Sequence, residues 1–143
     1  MEVMVFNIFD SKYGIALNRI KGILVYESLI ITPLFNEKDW IIGVANLRGE
    51  VIAIVDLKKR FSDDKSNCEN AIVIVVQTNE NKIIGMVVDF IEKIVKIDTD
   101  KILNMPEVSV GLDSKYIIGM VQIDGNEMAT LVNIDTLLSI DDL

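Results

Sequence analysis

Short runs of apolar residues separated by polar turns recur along the whole chain. The runs are rich in Val and Ile and have the length of strands, which favours β-structure over helices. Three pairs of runs are predicted to form β-hairpins around the polar connections 48–50, 79–82 and 124–126. Further strands are predicted over residues 3–9, 13–17, 22–26, 29–32 and 92–98. The pattern therefore predicts an all-β protein.

Helical segments are predicted to be few and short. They are expected over residues 18–21, 57–61 and 133–139, with the side chain of Asn18 capping the first. Residues 62–70 contain no large apolar side chain, so they are expected to form an exposed linker. This linker holds the only cysteine, Cys68, which has no partner for a disulfide within the chain and is expected to be incidental.

The two halves of the chain resemble each other. Gly43 and Gly49 are six residues apart in the first half, as are Gly119 and Gly125 in the second, and an apolar strand follows each pair. Self-similarity at about half the chain length predicts two similar all-β units of about five short strands each. Strands of this length close most readily into small barrels, because closure removes exposed sheet edges.

The predicted organisation is one domain over residues 1–143 with two sub-barrels. Their approximate boundaries are residues 11–61 and 71–133, and the amino-terminal strand 3–9 is paired with the second barrel. A chain of this length has enough residues for one such domain, or for two very small units that share a core.

Composition narrows the functional classes. Half of the 143 residues are hydrophobic and the mean hydropathy is +0.38, yet no apolar run approaches the roughly 18 residues of a membrane span. The formal charge of −8 excludes nucleic acid as the expected partner, because phosphates attract clustered Lys and Arg. The start of the sequence lacks the cationic segment of a signal peptide, so a cytoplasmic location is expected.

The sequence contains no histidine. This removes the commonest general base and the commonest metal ligand, which lowers the expectation of catalysis. Asp56, Asp89 and Asp124 could still converge into an oxygen-rich cluster for hydrolysis or a hard cation. Asp56 and Asp89 stand at predicted strand ends, however, where Asp commonly caps the next turn. We therefore expect neither a metal nor a cofactor.

The first hairpin carries one unusual charge. Arg48 is the one cation inside an otherwise uncharged run, next to Gly49, which can adopt the positive φ of a tight turn. A lone arginine at a strand end is commonly a surface charge or the partner of a nearby carboxylate. It is also a good anchor for binding, since its guanidinium is weakly hydrated and forks onto oxygen acceptors. The residues alone leave these alternatives open.

Five sequence blocks, in order over both halves, resemble the CheW-like domain of bacterial and archaeal chemotaxis coupling proteins. They are Tyr13-Gly14-Ile15, Gly43-x-x-Asn46-Leu47-Arg48-Gly49, Val55-Asp56-Leu57 with Phe61, Gly85-x-Val87-Val88-Asp89 and Leu131-Val132-Asn133-Ile134. The run Asn-Leu-Arg-Gly in this context is the most specific element of the match. The resemblance covers nearly the whole chain.

The resemblance implies two five-stranded SH3-like β-barrels around a shared core, and no enzymatic activity. It implies an adaptor that couples the cytoplasmic tips of chemoreceptors, the methyl-accepting proteins, to the regulatory domain of the histidine kinase CheA. The adaptor is then expected at receptor arrays on the inner face of the membrane, held there by its partners without inserting itself. Receptor helices are expected to lie in an apolar groove between the barrels.

Matching the family residue by residue places the protein-binding positions on the first hairpin and on apolar surfaces. They are Arg48, Asn46, Leu47, Gly49, Gly43, Ile20, Ile72, Ile84 and Ile91. Arg48 is the expected anchor of recognition, and Gly43 is expected to let a partner approach closely. For the isoleucines, plain burial in the core is an equal alternative, since β-branched strand residues are commonly core residues.

Two alternatives to the chemotaxis adaptor follow from the same residues. One is a CheW-like regulatory or adaptor module of a non-chemotactic two-component system, including a detached kinase domain. The other is an enzyme that uses the three aspartates named above. The lack of any receiver or kinase segment in the sequence favours an independent adaptor.

Overall fold

The computed structural model describes residues 1–35, 38–61, 70–104 and 114–139. Regular structure in these ranges is almost entirely extended, which confirms the predicted all-β class. The described strands are β1 (Glu2–Ile8), β2 (Ser11–Ala16), β3 (Ile20–Val25), β4 (Ile31–Pro33), β5 (Ile41–Leu47), β6 (Glu50–Asp56), β7 (Ile72–Gln77), β8 (Ile83–Val88), β9 (Phe90–Lys96), β10 (Ile117–Asp124) and β11 (Glu127–Val132). Two short helices, α1 (Leu57–Phe61) and α2 (Ile134–Leu137), follow β6 and β11.

A polar residue directly precedes each short helix, Asp56 before α1 and Asn133 before α2. The Asp56 side chain accepts the backbone N–H of Lys58 at 3.0 Å, and the Asn133 side chain accepts that of Asp135 at 3.1 Å. Both contacts satisfy amides that the first turn of a helix leaves without partners. The two residues also stand at equivalent places of the repeat, so the repeat extends to its helices.

The predicted cap at Asn18 is wrong. The segment is a single 3₁₀ turn over Leu17–Arg19 without a side-chain cap, and the N–H of Ile20 closes it on the carbonyl of Leu17. A three-residue turn closed by its own backbone leaves little for a cap to satisfy. Of the predicted linker 62–70, only Asn70 is described, and Cys68 lies outside the described residues.

The strands form two sheets with the same plan. The five-stranded sheet has the order β10-β11-β2-β1-β9, and the six-stranded sheet has the order β3-β7-β8-β6-β5-β4. Neighbours are antiparallel except at β11–β2 and β6–β8, which are parallel. Without β4, the six-stranded sheet reads β5-β6-β8-β7-β3, so each sheet consists of two hairpins joined by a parallel pair and flanked by one more strand.

The two halves of the chain exchange their first hairpins. The hairpin β1–β2 lies in the five-stranded sheet with β9, β10 and β11, and the hairpin β7–β8 lies in the six-stranded sheet with β3 to β6. The predicted segments 11–61 and 71–133 therefore do not coincide with the sheets, because each sheet takes strands from both halves. A hydrophobic pattern identifies a strand, whereas the long-range parallel pairings that recruit these hairpins leave no local signal.

Equivalent glycines hold equivalent places in the two sheets. Gly14 of β2 lies against Val3 of β1, and Gly85 of β8 lies against Val73 of β7. Side-chain carbons of these valines stand 2.7 and 2.9 Å from the point where a glycine Cβ would be. Both positions therefore require glycine for close packing inside the sheet.

A large shared core lies between the two sheets, as the resemblance implies. The five-stranded sheet contributes Phe6 and Ile15, and the six-stranded sheet contributes Met86, all of them at most 2% exposed. Each sheet also has a smaller core of its own, which contains Ile54 in the six-stranded sheet and Leu131 in the five-stranded sheet. Burial of apolar area on this scale is the main stabilising contribution to the fold.

The two halves also meet at Arg60 of α1. Its guanidinium lies 4.8 Å from the ring centre of Trp40 and 4.5 Å from that of Tyr116, two residues at equivalent places of the repeat. It donates hydrogen bonds to the Tyr116 hydroxyl at 2.6 Å and to the Leu137 carbonyl at 3.2 Å. Burial raises the pKa of Tyr116, but the hydrogen bonds and charges of Arg60 and Lys115 together outweigh it and lower the pKa overall.

Each sheet curls so that the chain passes from one edge strand to the other. The edge strands β3 and β4 of the six-stranded sheet are consecutive in sequence. In the five-stranded sheet, the chain that leaves β9 reaches Leu103, which exchanges backbone hydrogen bonds of 2.7 and 2.8 Å with Met120 of β10. Closed barrels require such contacts between edges. Full closure of either sheet into a barrel stays a prediction.

Candidate protein-binding surface

The turn between β5 and β6 has two central residues, Arg48 and Gly49. Leu47 pairs directly with Glu50, and φ is 53° at Arg48 and 87° at Gly49. Two successive positive φ values are the pattern of a type I′ turn, whose twist matches the flanking strands. The Asn46 side chain accepts the N–H of Gly49 at 3.0 Å and holds the turn together.

Arginine is an unusual residue at this place in a turn. A positive φ brings the Cβ of an L-residue close to its carbonyl oxygen, at a cost of roughly 1–2 kcal/mol, and Asn, Asp or Gly are preferred. The Arg48 side chain is exposed, and within the described ranges its guanidinium has neither a hydrogen bond nor an ion pair. A strained backbone that presents five unused donors to solvent favours a role in recognition over a role in folding.

An exposed apolar surface lies beside this turn. A cavity of about 440 Å³ opens on β4, β5 and β6, with Val44, Val51 and Ile30 among its lining residues. Val51 and Ile30 expose 71% and 89% of their area, which is unusual for large apolar side chains. Asn46 lines the same cavity. We call the surface formed by Ile30, Val44, Asn46 and Val51 the β4–β6 face.

The apolar residues of this face are not among the binding positions predicted from the sequence. For two of them a signal exists: Val44 is two residues from Asn46 on β5, and Val51 pairs with Asn46 across the hairpin. Side chains alternate along a strand, so these positions share a face with Asn46. For Ile30 no such signal exists, because it precedes a strand of only three residues.

The β4–β6 face continues into the shared core. A row of paired residues crosses the whole six-stranded sheet, and its members are Thr32, Val44, Ala53, Ile84, Val76 and Ile20. Thr32 at one end is exposed, Val44 and Ala53 are half-buried, and Ile84 is buried. One continuous apolar surface therefore runs from solvent to the contact between the two sheets.

Two of the predicted binding positions are buried within this chain. Ile84 is 1% exposed, since it lies in the middle of the sheet beneath the shared core. Gly43 is buried, and a Cβ there would overlap the carbonyl oxygen of Thr32. The close approach that Gly43 permits is therefore made by strand β4 of the same chain.

The other predicted positions fall into two groups. Asn46, Arg48 and Gly49 are exposed together at the turn, while Leu47 is half-buried in the core of the six-stranded sheet. The half-buried isoleucines pack against the shared core, and they are Ile20, Ile72 and Ile91. Their part in binding stays a prediction, and the structure does not bring them to the turn.

The five-stranded sheet has a corresponding surface. A cavity of about 740 Å³ opens where Leu103 crosses β10, and Gln122 and Met128 line it at places equivalent to Asn46 and Val51. Leu103 exposes 57% of its area. The residues of this surface are not among the predicted binding positions either. The repeat therefore places one cavity beside the turn between β5 and β6 and another beside the turn between β10 and β11.

Two of the three aspartates considered for catalysis contact the same residue, Lys58, and the third pairs elsewhere. Asp56 caps α1, Asp89 forms an ion pair with Lys58, and Asp124 lies 3.3 Å from the ammonium of Lys93. In the described part of the chain, no three His, Cys, Asp or Glu side chains are grouped so as to hold a metal ion. The three aspartates form a helix cap and ion pairs, and they do not converge on one catalytic or metal site among the described residues.

The helices are too short to cross a membrane. They have five and four residues, and none among the described residues combines the length and hydropathy that a membrane-crossing helix needs.

The chain is similar in sequence to one protein family and to named relatives. The chain matches the family model of the CheW-like domain over residues 2–142. It is 30% identical over 142 residues to the chemotaxis protein CheW of Klebsiella aerogenes. The alignment covers 99% of this chain and 84% of that protein. The chain is 29% identical over 139 residues to the chemotaxis protein CheW of Thermotoga maritima, with 96% and 87% covered.

A solved structure shares the architecture. The crystal structure of the scaffolding protein TtCheW from Thermoanaerobacter tengcongensis superimposes with a TM-score of 0.86 at 24% sequence identity, covering 99% of this chain and 94% of that one. The family match extends over nearly the whole chain and includes the Asn46–Gly49 turn. This protein therefore belongs to the CheW-like domain family.

Proposed function

We propose that this protein is a non-enzymatic adaptor that couples the cytoplasmic tips of chemoreceptors to the histidine kinase CheA in chemotaxis signalling. Membership of the CheW-like family supports the proposal, and relatives bear the name chemotaxis protein CheW. The observation that carries it is Arg48, exposed on a strained turn at the edge of an apolar surface. Such a surface is suited to holding another protein and offers no machinery for turnover.

The turn and the β4–β6 face contribute differently to binding. The exposed areas of Ile30 and Val51 give affinity when a partner covers them, because burial of apolar area is favourable and non-directional. Arg48 gives orientation, since its planar guanidinium forks onto a carboxylate or a backbone carbonyl. Arginines next to buried apolar anchors are common hot spots of interfaces.

The proposed partners are the regulatory domain of CheA and the helical tip of a chemoreceptor. The adaptor then resides at receptor arrays on the inner face of the membrane, where its partners hold it. It needs no metal and no cofactor for this role.

Reversal of the charge at Arg48 tests the proposal. The Arg48→Glu variant is expected to bind an isolated CheA regulatory domain or a receptor tip fragment at least tenfold more weakly, since loss of an interface hot spot typically costs about 2 kcal/mol or more. Binding is measured by titration calorimetry at several salt concentrations. Weakening of wild-type binding by salt reports the charge of Arg48, and the residual affinity reports the apolar face.

Lys21→Glu on β3 is the matched control. It makes the same change in net charge at another exposed cation, so the variant is expected to bind like the wild type. Thermal unfolding of both variants should remain close to that of the wild type, because surface substitutions usually change stability by less than about 0.5 kcal/mol. Equal binding by wild type and Arg48→Glu would overturn the proposed role of the turn.

A further inference from the structure

The chain crosses between the two sheets at two described places, and an ion pair stands at each. It leaves the five-stranded sheet at the end of β2 and enters the six-stranded sheet at β3, with Arg19 in between. It returns between β8 and β9, where Asp89 is the connecting residue. Asp89 matches Asn18 in the repeat, so Arg19 lies one position after the matching place.

The first ion pair joins Asp89 to Lys58 of α1. Lys58 keeps only 6% of its side chain exposed and contacts one carboxylate oxygen of Asp89. The other carboxylate oxygen accepts the backbone N–H of Phe9 at 2.6 Å, in the turn between β1 and β2. The N–H of Asp89 also donates to the Asn7 carbonyl at 3.0 Å. We call this arrangement the Lys58–Asp89 clamp.

The second ion pair joins Arg19 to Asp135 of α2. An Arg19 terminal nitrogen lies 2.8 Å from Asp135, and its Nε donates to the Gln77 carbonyl at 3.0 Å. Asp135 also accepts the backbone N–H of Asn79 at 2.7 Å and its side-chain amide at 2.8 Å, in the turn between β7 and β8. We call this arrangement the Arg19–Asp135 clamp.

The two clamps have the same parts with the charges reversed. In both, a carboxylate receives a cation and the turn amide of an exchanged hairpin, Phe9 in one and Asn79 in the other. The first clamp takes its carboxylate from the crossing and its cation from the second residue of α1. The second takes its cation from the crossing and its carboxylate from the second residue of α2. Each clamp thus ties a hairpin turn of one sheet to the helix that follows the other sheet.

The shared core and the ion pairs act differently on how the sheets are turned relative to each other. Apolar burial is non-directional, although the close packing of aliphatic and aromatic side chains, Phe6 and Trp40 among them, also resists rotation. Charge-assisted hydrogen bonds are directional and short, and buried ionic groups are known to select one arrangement among several in some proteins.

We infer that the two clamps are an orientation device, which fixes the angle between the sheets across the shared core, and that the Arg19–Asp135 clamp opens first. Its side chains are 25% and 27% exposed, against 6% for Lys58 and 25% for Asp89. Water therefore competes more easily for the second clamp. The orientation of the two sheets in turn sets the course of the apolar surface that runs from the β4–β6 face into the core.

The Asp135→Asn variant tests the device, because it keeps the size and an oxygen acceptor but removes the charge. Amide hydrogen exchange by NMR is expected to show the Asn79 amide exchanging about tenfold faster, which corresponds to about 1.4 kcal/mol and to the lower end for a hydrogen bond to a charged group. The Phe9 amide of the other clamp is the internal control and should keep its rate. Residual dipolar couplings are expected to report a changed angle between the sheets.

Removal of the cation provides the second variant. Arg19→Gln keeps Asp135 as the acceptor of the Asn79 amide but removes the charge that pairs with it. This variant is expected to change the angle between the sheets as Asp135→Asn does, while Lys21→Gln at an exposed cation on β3 keeps the wild-type angle. The inference is overturned if the angle is the same in all variants, or if Phe9 and Asn79 accelerate equally, which would indicate only global destabilisation.

Discussion

The two hairpin turns at equivalent places of the repeat differ in chemistry. The β5–β6 turn has Arg48 at its first central position with φ 53°, and the β10–β11 turn has Gly125 there with the same φ. A glycine adopts this conformation without strain, whereas an arginine does not. The charge beside the second turn, Asp124, is paired with Lys93, whereas Arg48 makes no such pair among the described residues.

The ends of the two sheets near these turns also differ in the kind of side chain that they contain. In the six-stranded sheet, the half-buried Leu47 and Ile83 pack against its own core. In the five-stranded sheet, Lys12 takes the place that Ile83 has in the repeat, and it pairs with Glu92 and Glu127. At this end of the five-stranded sheet, ion pairs within the sheet therefore replace part of the apolar packing.

This comparison separates what the fold requires from what binding requires. Both sheets use the same strand order, the same close-packed glycines and the same helix caps. Only the β5–β6 turn keeps a strained cation without a partner in the described chain, next to exposed apolar side chains. The repeated fold does not need this difference between its two turns, so the difference favours binding of a partner at the β5–β6 turn.

The largest expected effect concerns the glycines over which a strand crosses. Gly43→Ala should destabilise the protein by about 3 kcal/mol, because the new methyl group meets the backbone of β4 and the strand must shift. Gly119→Ala should cost about 2 kcal/mol, since the nearest atoms, the Leu103 carbonyl oxygen and Ile102 Cγ2, stand 2.6 Å from the Cβ position, farther than the Thr32 oxygen stands at Gly43. Urea denaturation measures both values.

Gly22→Ala is the matched control for these two variants. Nothing lies within 4 Å of the position of its Cβ, and its φ is not positive. Alanine there should be neutral or stabilise by about 0.4–1 kcal/mol through the unfolded state. A loss at Gly22 equal to that at Gly43 would contradict the assignment of the clash to β4.

An intermediate effect concerns the acid side of the stability curve. Burial raises the pKa of Asp135, but hydrogen bonds from Arg19 and the Asn79 amide, with the charge of Arg19, lower it overall. A carboxyl with a lowered folded pKa contributes stability that is fully present above its unfolded pKa of about 3.9 and is lost as the pH falls through the folded pKa. The wild type should therefore lose more stability below about pH 4 than Asp135→Asn.

Urea midpoints measured from pH 7 down to about pH 2 check this expectation. Glu80→Gln is the control, because Glu80 lines the same small cavity as Asp135 but exposes 68% of its side chain to solvent. Its curve should follow the wild type, since exposed ion pairs contribute little. Parallel curves for wild type and Asp135→Asn would contradict the role of the Arg19–Asp135 clamp in acid stability.

The smallest expected effect concerns the contrast between the two turns. Arg48→Asn should stabilise the protein by about 0.5–1 kcal/mol, because Asn-Gly fits two positive φ values better than Arg-Gly. The same variant should bind the kinase domain less well than the wild type. Asp124→Asn at the other turn should change stability by less than about 0.5 kcal/mol, as its ion pair is exposed. Thermal unfolding compares the two, and a loss of stability at Arg48→Asn would contradict the strain.

Part of the candidate binding surface could be predicted from the sequence, and part could not. The exposed turn was predictable from Asn46 to Gly49, because turn chemistry is local. The burial of Ile84 and the covering of Gly43 by β4 were not, since both depend on strands distant in sequence. The exposed side chain of Ile30 also had no signal in its own neighbourhood.

By itself, the sequence determined the strands, the polar turns, the repeat and the family, because each is recognised from short local patterns of side chains. The tertiary structure decided which sheet receives each exchanged hairpin and which apolar residues stay exposed. It also decided that Arg19 meets Asp135 while Lys58 meets Asp89. Those outcomes depend on pairings between distant segments, and the free energy of such contacts depends on the packing of the whole chain.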